Sequence, residues 1–180
     1  MEQKVLFHGV KDGETFEVAG MEFIKFPDVN GMTPVVAKDL LFYSSFGRNN
    51  NFAESTILRR LQDEVLPKII DTVGEENVCS FKTDLTTWDG LKTYGEIEGK
   101  ISLPTMDFYR RNLEIFDRYK PDKWWWLATA DSTEPHWDSP FALCVSPLGN
   151  LDYYGNLCSG GNGVRPFCIF KSSIFGSCEE

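Results

Sequence analysis

The sequence predicts an α+β fold, and three observations carry that reading. The first forty residues hold short alternating runs broken by turn residues. Residues 57–70 place apolar side chains at helical spacing, and residues 124–170 are rich in aromatic residues set between proline and glycine turns. The expected order is N-terminal antiparallel strands, two main helices and a C-terminal β meander. At 180 residues the chain has the length of one domain, read as 1–180, with an aromatic β module over about 124–170.

The elements follow in turn. Thr15-Phe16-Glu17-Val18 alternates polar and apolar and ends at Ala19-Gly20, and Met21 to Phe26 ends at Pro27, so both read as half-buried strands of a meander. Pro34 to Tyr43 is a longer apolar run that predicts a central strand. Gly47-Arg48-Asn49-Asn50-Asn51 reads as a loop whose asparagine caps the next helix. In that helix Ile57, Leu58, Leu61, Val65, Leu66, Ile69 and Ile70 share one face, and Pro67 predicts a kink or restart. Residues 73–99 read as turn-rich and polar. A second helix starts near Thr105 and runs to Pro121. Beyond it lie the β run Trp124 to Leu127, a polar loop from Ala130 to Pro140, and a hairpin of Phe141 to Ser146 with Leu151 to Tyr154. Val164 to Phe170 reads as one final strand.

Composition bounds the function. With 42% hydrophobic and 14% aromatic residues the chain can fill a core. Its net charge of −9 repels a phosphate backbone, so direct nucleic-acid binding is not expected and a basic partner surface fits better. The five cysteines, Cys79, Cys144, Cys158, Cys168 and Cys178, form no CxxC pair. That odd count and the lack of an apolar N-terminal segment predict reduced thiols and a cytoplasmic protein, with no membrane span.

Candidates for chemistry are few. His8 and His136 are the two histidines, too few for a three-histidine metal site, and no metal or cofactor is expected. His136 as a general base needs a neighbouring nucleophile and an orienting acid. The cysteines read as buried structural thiols, and Gly160, Gly161 and Gly163 read as a turn that lacks the lysine and helix of a phosphate loop. Exposed aromatics are the better lead. Trp125, Trp137, Tyr153 and Tyr154 cannot all point inward if the strands alternate, and aromatic side chains outside the core give rigid contact area for a ligand.

Trp124-Trp125-Trp126-Leu127, the polar loop after it, and Gly163-Val164-Arg165-Pro166-Phe167 together resemble a bacterial and phage family known as domain of unknown function 6273. Glu54 to Arg59 is similar to that family's first helix start, and Ile101-Ser102-Leu103 to its segment before the second helix, so the likeness spans about residues 13–170. The resemblance implies a C-type-lectin-like fold, related to phage variable receptor-binding proteins, in which C-terminal side chains meet the ligand. Carried onto this sequence, the ligand-binding positions are Asp131, Ser132, His136, Trp137, Asp152, Tyr153, Tyr154 and Asn156. Ala128-Thr129 replaces the family's Arg-Ser, and the cysteine arrangement of the related formylglycine-generating enzymes is absent, so no enzymatic activity is implied.

The expected function is a non-enzymatic, phage-associated module that binds a protein or glycan in the host cytoplasm or on the assembled virion. The alternative is an acidic inhibitor of a host defence nuclease, in the manner of an anti-CRISPR factor. Arg165 is expected to tie the last strand to a loop carboxylate such as Asp131.

Overall fold

Two sheets form around a helix, and the side-chain pattern decides which residues go where. The computed structural model describes residues 4–156 and 161–176, without the side chains of residues 153–156. In the first sheet β1 (Thr15–Val18) turns into β2 (Met21–Lys25) through Ala19 and Gly20, whose φ angles of 53° and 78° give the two left-handed residues a tight hairpin needs. β3 (Met32–Ala37) pairs with β2, and β11 (Phe167–Lys171) pairs with β3, all antiparallel. The order β1-β2-β3-β11 therefore returns the last strand to the N-terminal meander.

The run from Pro34 to Tyr43 is not one strand. It breaks after Ala37, where Lys38 turns out to pair with Glu22 at 2.9 Å, and β4 (Phe42–Ser44) joins the second sheet. That sheet has the order β4-β10-β7-β8-β9, with β7 (Trp125–Ala130), β8 (Phe141–Val145), β9 (Leu151–Asn156) and β10 (Asn162–Val164). The β7-β8-β9 meander is antiparallel as expected, whereas β10 lies parallel to β7. A further hairpin, β5 (Phe81–Asp84) with β6 (Glu96–Gly99), occupies the stretch read from the sequence as turns.

The first helix, α1 (residues 56–73), is the one main helix, 18 residues long. Ser55 Oγ caps it by accepting from Leu58 N–H at 3.0 Å, while Asn51 caps the short turn before it. Pro67 has no N–H and its ring crowds the carbonyl four residues back. The helix answers with a wide turn over Leu61–Val65, where Leu66 N–H reaches Leu61 O, and regular winding resumes at Leu66. The second main helix of the sequence reading is not formed. Thr105 does cap a helix there, but α2 (Met106–Arg111) ends at Asn112, with φ −118° and ψ 26°, and α3 (Leu113–Phe116) is a single separate turn.

β7 is buried on both faces, and its alternation separates two cores. Trp126 and Ala128 face the cluster of α1, which contains Phe46, Phe52, Ile57, Leu61 and Ile69. Trp125 and Leu127 face the other, which contains Phe26, Tyr109 and Phe116. Trp125 is thus a core residue and not an exposed contact, because a central strand between β10 and β8 has no solvent face; Trp124, just before the strand, is the exposed one. Most rings pack edge-on or tilted, as with Phe46 against Trp126 at 5.3 Å and Tyr109 against Trp125 at 5.7 Å, while Phe116 stacks on Trp125 at 5.8 Å.

The final strand is likewise two strands. At Arg165-Pro166 the chain leaves the second sheet as β10 and enters the first as β11. Arg165 is buried at this crossing and does not reach Asp131. Its Nε donates to Ala37 O at 2.9 Å, its Nη2 to Tyr119 O at 3.3 Å, and its guanidinium lies 4.6 Å from the Trp125 ring. Burial pulls its pKa down to about 10, against the pull of Asp39 and Tyr109. The crossing is held by backbone carbonyls and an aromatic face in place of the expected ion pair.

Candidate functional site

The polar loop between β7 and β8 is built from its base outward. The register of β7 on β8 shifts between Trp126 and Ala130, which frees the chain for a ten-residue excursion. At its base Asp131 N–H donates to Phe141 O at 3.3 Å. The Asp131 carboxylate accepts from Ser132 N–H at 2.7 Å and from the Ser139 hydroxyl, closing the loop from inside. Asn50 clamps it from beneath. Its Nδ2 donates to Ser132 O at 2.8 Å and to Phe141 O at 3.0 Å, while its Oδ1 accepts from Tyr94 OH at 2.5 Å. Asn50 is 1% exposed, so each of these bonds replaces one that water would otherwise make.

A second turn braces the loop from the side. Thr87 N–H donates to Leu91 O and Gly90 N–H to Thr87 O, both at 2.9 Å, and Gly90 has a φ of 92° that only glycine adopts without strain. Trp88 N–H then donates to Ala130 O at 2.8 Å, which docks this turn on the end of β7. Asp89 projects from it into the loop. Its Oδ2 accepts from Ser132 Oγ at 2.5 Å and faces His136 Nδ1 at 2.7 Å, and its Oδ1 accepts from Thr87 Oγ1 at 2.5 Å. Partial burial would raise the Asp89 pKa; the hydrogen bonds from Ser132, Thr87 and His136 outweigh it and bring it down to about 2.

The eight residues expected to meet a ligand therefore divide. Asp131 and Ser132 are buried, at 8% and 3% exposure, and their polar atoms serve the loop itself. His136 and Trp137 are exposed at the tip, within a run of exposed residues from Glu134 to Asp138. Trp137 rests its ring 6.2 Å from that of Phe141. Asp152 lies opposite Cys144 on β9, three residues along β8 from the loop end at Phe141, roughly 10 Å away. The backbone of Asn156 pairs beside Phe141, which brings the far end of β9 to the loop; the side chains of Tyr153, Tyr154 and Asn156 lie outside the described residues.

Asp89, Asn50, Thr87 and Tyr94 are the residues that sequence reading missed. The only signal for Asn50 is the triple asparagine of residues 49–51, in which Asn49 bonds Glu54 and Asn51 caps a turn, leaving Asn50 for a distant partner. Nothing local singles out Asp89, whose loop partners Ser132 and His136 lie more than forty residues ahead.

Serine, histidine and aspartate meet here, but in an order unsuited to nucleophilic catalysis. Ser132 donates to Asp89 and not to His136, so the imidazole is not placed to take the serine proton. The three thiols among the described residues are held in their protonated form by burial. Burial pushes Cys144 up to about 12, with Asp152 adding to the rise, and pushes Cys168 higher still; Cys79 is raised by burial too. Among the described residues no group of three or more His, Cys, Asp or Glu side chains could hold a metal ion, and no helix is long and apolar enough to cross a membrane. What the arrangement offers is a braced loop whose tip presents an imidazole, an indole and a carboxylate.

Comparison with protein-family models, with curated proteins and with solved structures returns no match.

Proposed function

We propose that this chain is a non-enzymatic binding module whose ligand, a protein or a glycan, meets the tip of the β7–β8 loop at His136 and Trp137 with the Asp89 carboxylate beside them. The observation that carries the reading is the direction in which the loop spends its hydrogen bonds. Asn50, Asp131, Ser132 and Ser139 are turned inward on the scaffold, whereas His136 and Trp137 stand outside with side chains unburied. A tip held in one conformation before binding loses little entropy on contact, and an indole next to an imidazole held on a carboxylate suits both a protein hot spot and the polar face of a sugar.

The lectin-like fold and the phage association belong to the same proposal. Their support is the WWWL and GVRPF signature, whose residues Trp125, Trp126 and Arg165 all sit in the scaffold under the loop.

The test compares the wild-type chain with Trp137→Ala on a glycan array and on fractionated bacterial proteins. The expected result is a ligand held by the wild type and lost by the variant, with equal melting temperatures. Ligands held equally by both would remove the loop from the binding face. Binding that ignores Trp137 and fades steeply with salt would favour an acidic inhibitor of a basic groove instead.

A further inference from the structure

A cleft of about 400 Å³ lies between the β5–β6 hairpin and α2, apart from the loop tip, and falls within the size range of small-molecule sites. Its floor is aromatic: Phe81 and Phe108 each pack against Phe167, at 5.2 and 4.9 Å between ring centres. Trp88, 52% exposed, stands on one wall, and Arg111 on another. The polar groups of the walls are mostly committed to holding them in place. Thr83 Oγ1 donates to Ser102 Oγ at 3.0 Å, Thr129 Oγ1 accepts from Met106 N–H at 3.0 Å, and Thr105 caps α2.

The mouth is lined by Asp84, Asp107, Arg110 and Arg111. Three of these four have side-chain partners. Asp107 pairs with Arg110 at 3.0 Å, and Asp84 accepts from Thr86 N–H at 2.9 Å and Thr86 Oγ1 at 2.6 Å, bonds that hold its pKa below the usual carboxylate value. Arg111 donates through Nε to the Asp107 backbone carbonyl at 3.2 Å, and among the described residues its guanidinium meets no carboxylate. In a chain with a net charge of −9, an arginine so left at a cleft mouth keeps its Nη1–Nη2 edge for an external anion.

We propose that this cleft binds a small ring compound bearing an anionic group, with the ring against Trp88 and the aromatic floor and the anion on Arg111. An acidic sugar and a nucleotide both carry that chemistry. The site does not use the loop tip, since neither His136 nor Trp137 lines it, although Thr87 and Trp88 of its wall belong to the turn that braces the loop.

The experiment is a ¹H–¹⁵N NMR titration of the whole chain with glucuronate and with adenosine monophosphate, using glucose and adenosine as their neutral counterparts. The expected result is that one anion shifts the Trp88 indole N–H and the amides of residues 105–111. Its neutral counterpart should bind roughly tenfold more weakly, the loss of one charge-assisted contact. Arg111→Gln, an exposed change that leaves the fold intact, should weaken the anion by a similar factor and the neutral compound not at all. Trp137→Ala should change neither. A response to glucuronate alone identifies an acidic sugar, and a response to the nucleotide alone identifies a nucleotide. The proposal is overturned if neither anion perturbs the cleft, if the neutral counterparts bind as well, or if Arg111→Gln has no effect.

Discussion

His136 Nδ1 and Asp89 Oδ2 stand 2.7 Å apart across 47 residues of sequence, joining the tip of the β7–β8 loop to a turn of a different hairpin. The same carboxylate holds Ser132 and Thr87, so one side chain orders both the inside and the outside of the loop.

Acid should loosen that joint. The folded Asp89 pKa, about 2, lies below its ordinary value of 3.8, so the stabilisation is complete above the ordinary value and is lost as pH falls through the folded one. Melting temperatures of wild type and Asp89→Asn measured between pH 6 and pH 2 should therefore differ most at pH 6 and converge toward pH 2. A difference independent of pH would show that the carboxylate charge contributes nothing.

Asn50→Ala removes both donors of the clamp and leaves Tyr94 OH without its acceptor. The expected cost is about 2–3 kcal/mol in denaturant unfolding, from buried polar groups left unpaired. Amide exchange within residues 131–140 should accelerate more than exchange in α1, because the loop loses its anchor while the helix keeps its core.

Arg165→Ala should cost about 3 kcal/mol, since it opens a cavity beside Trp125 and strips donors from Ala37 O and Tyr119 O. Asp131→Ala in the same background should add its own full cost, because the two residues share no bond. Strong non-additivity in that double-mutant cycle would restore the ion pair expected from sequence.

Gly163 marks where a side chain has no room. A Cβ there would sit 2.5 Å from Leu40 Cδ1, so Gly163→Ala should destabilise by about 1–3 kcal/mol through overpacking. Leu40→Ala combined with it should recover part of that loss, and calorimetry on the single and double variants would measure the recovery.

Local signals were legible because they act within a few residues. The helical stripe from Ile57 to Ile70, the cap at Thr105, the Ala19-Gly20 turn and the hairpin from Phe141 onward depend on nearby spacing and turn chemistry, and each is present, whereas the helix cap expected of an asparagine falls to Ser55. Even the interruption at Pro67 was readable, because it follows from a missing N–H. The second helix failed at Asn112, where its apolar residues were divided between two short turns that pack on Phe26 and Trp125. The β5–β6 hairpin was hidden by its polar alternation, since a small two-stranded ribbon buries little.

The order of apolar and polar residues by itself determined an α+β chain with its aromatic strand near the C-terminus, and it drew attention to the loop at Asp131 to Asp138. Tertiary structure decided the rest: that Trp125 is core, that the last run divides at Arg165 between two sheets, and that His136 faces Asp89. Each of these depends on elements brought together from separate parts of the chain, where packing and burial select the partner and local propensity is silent.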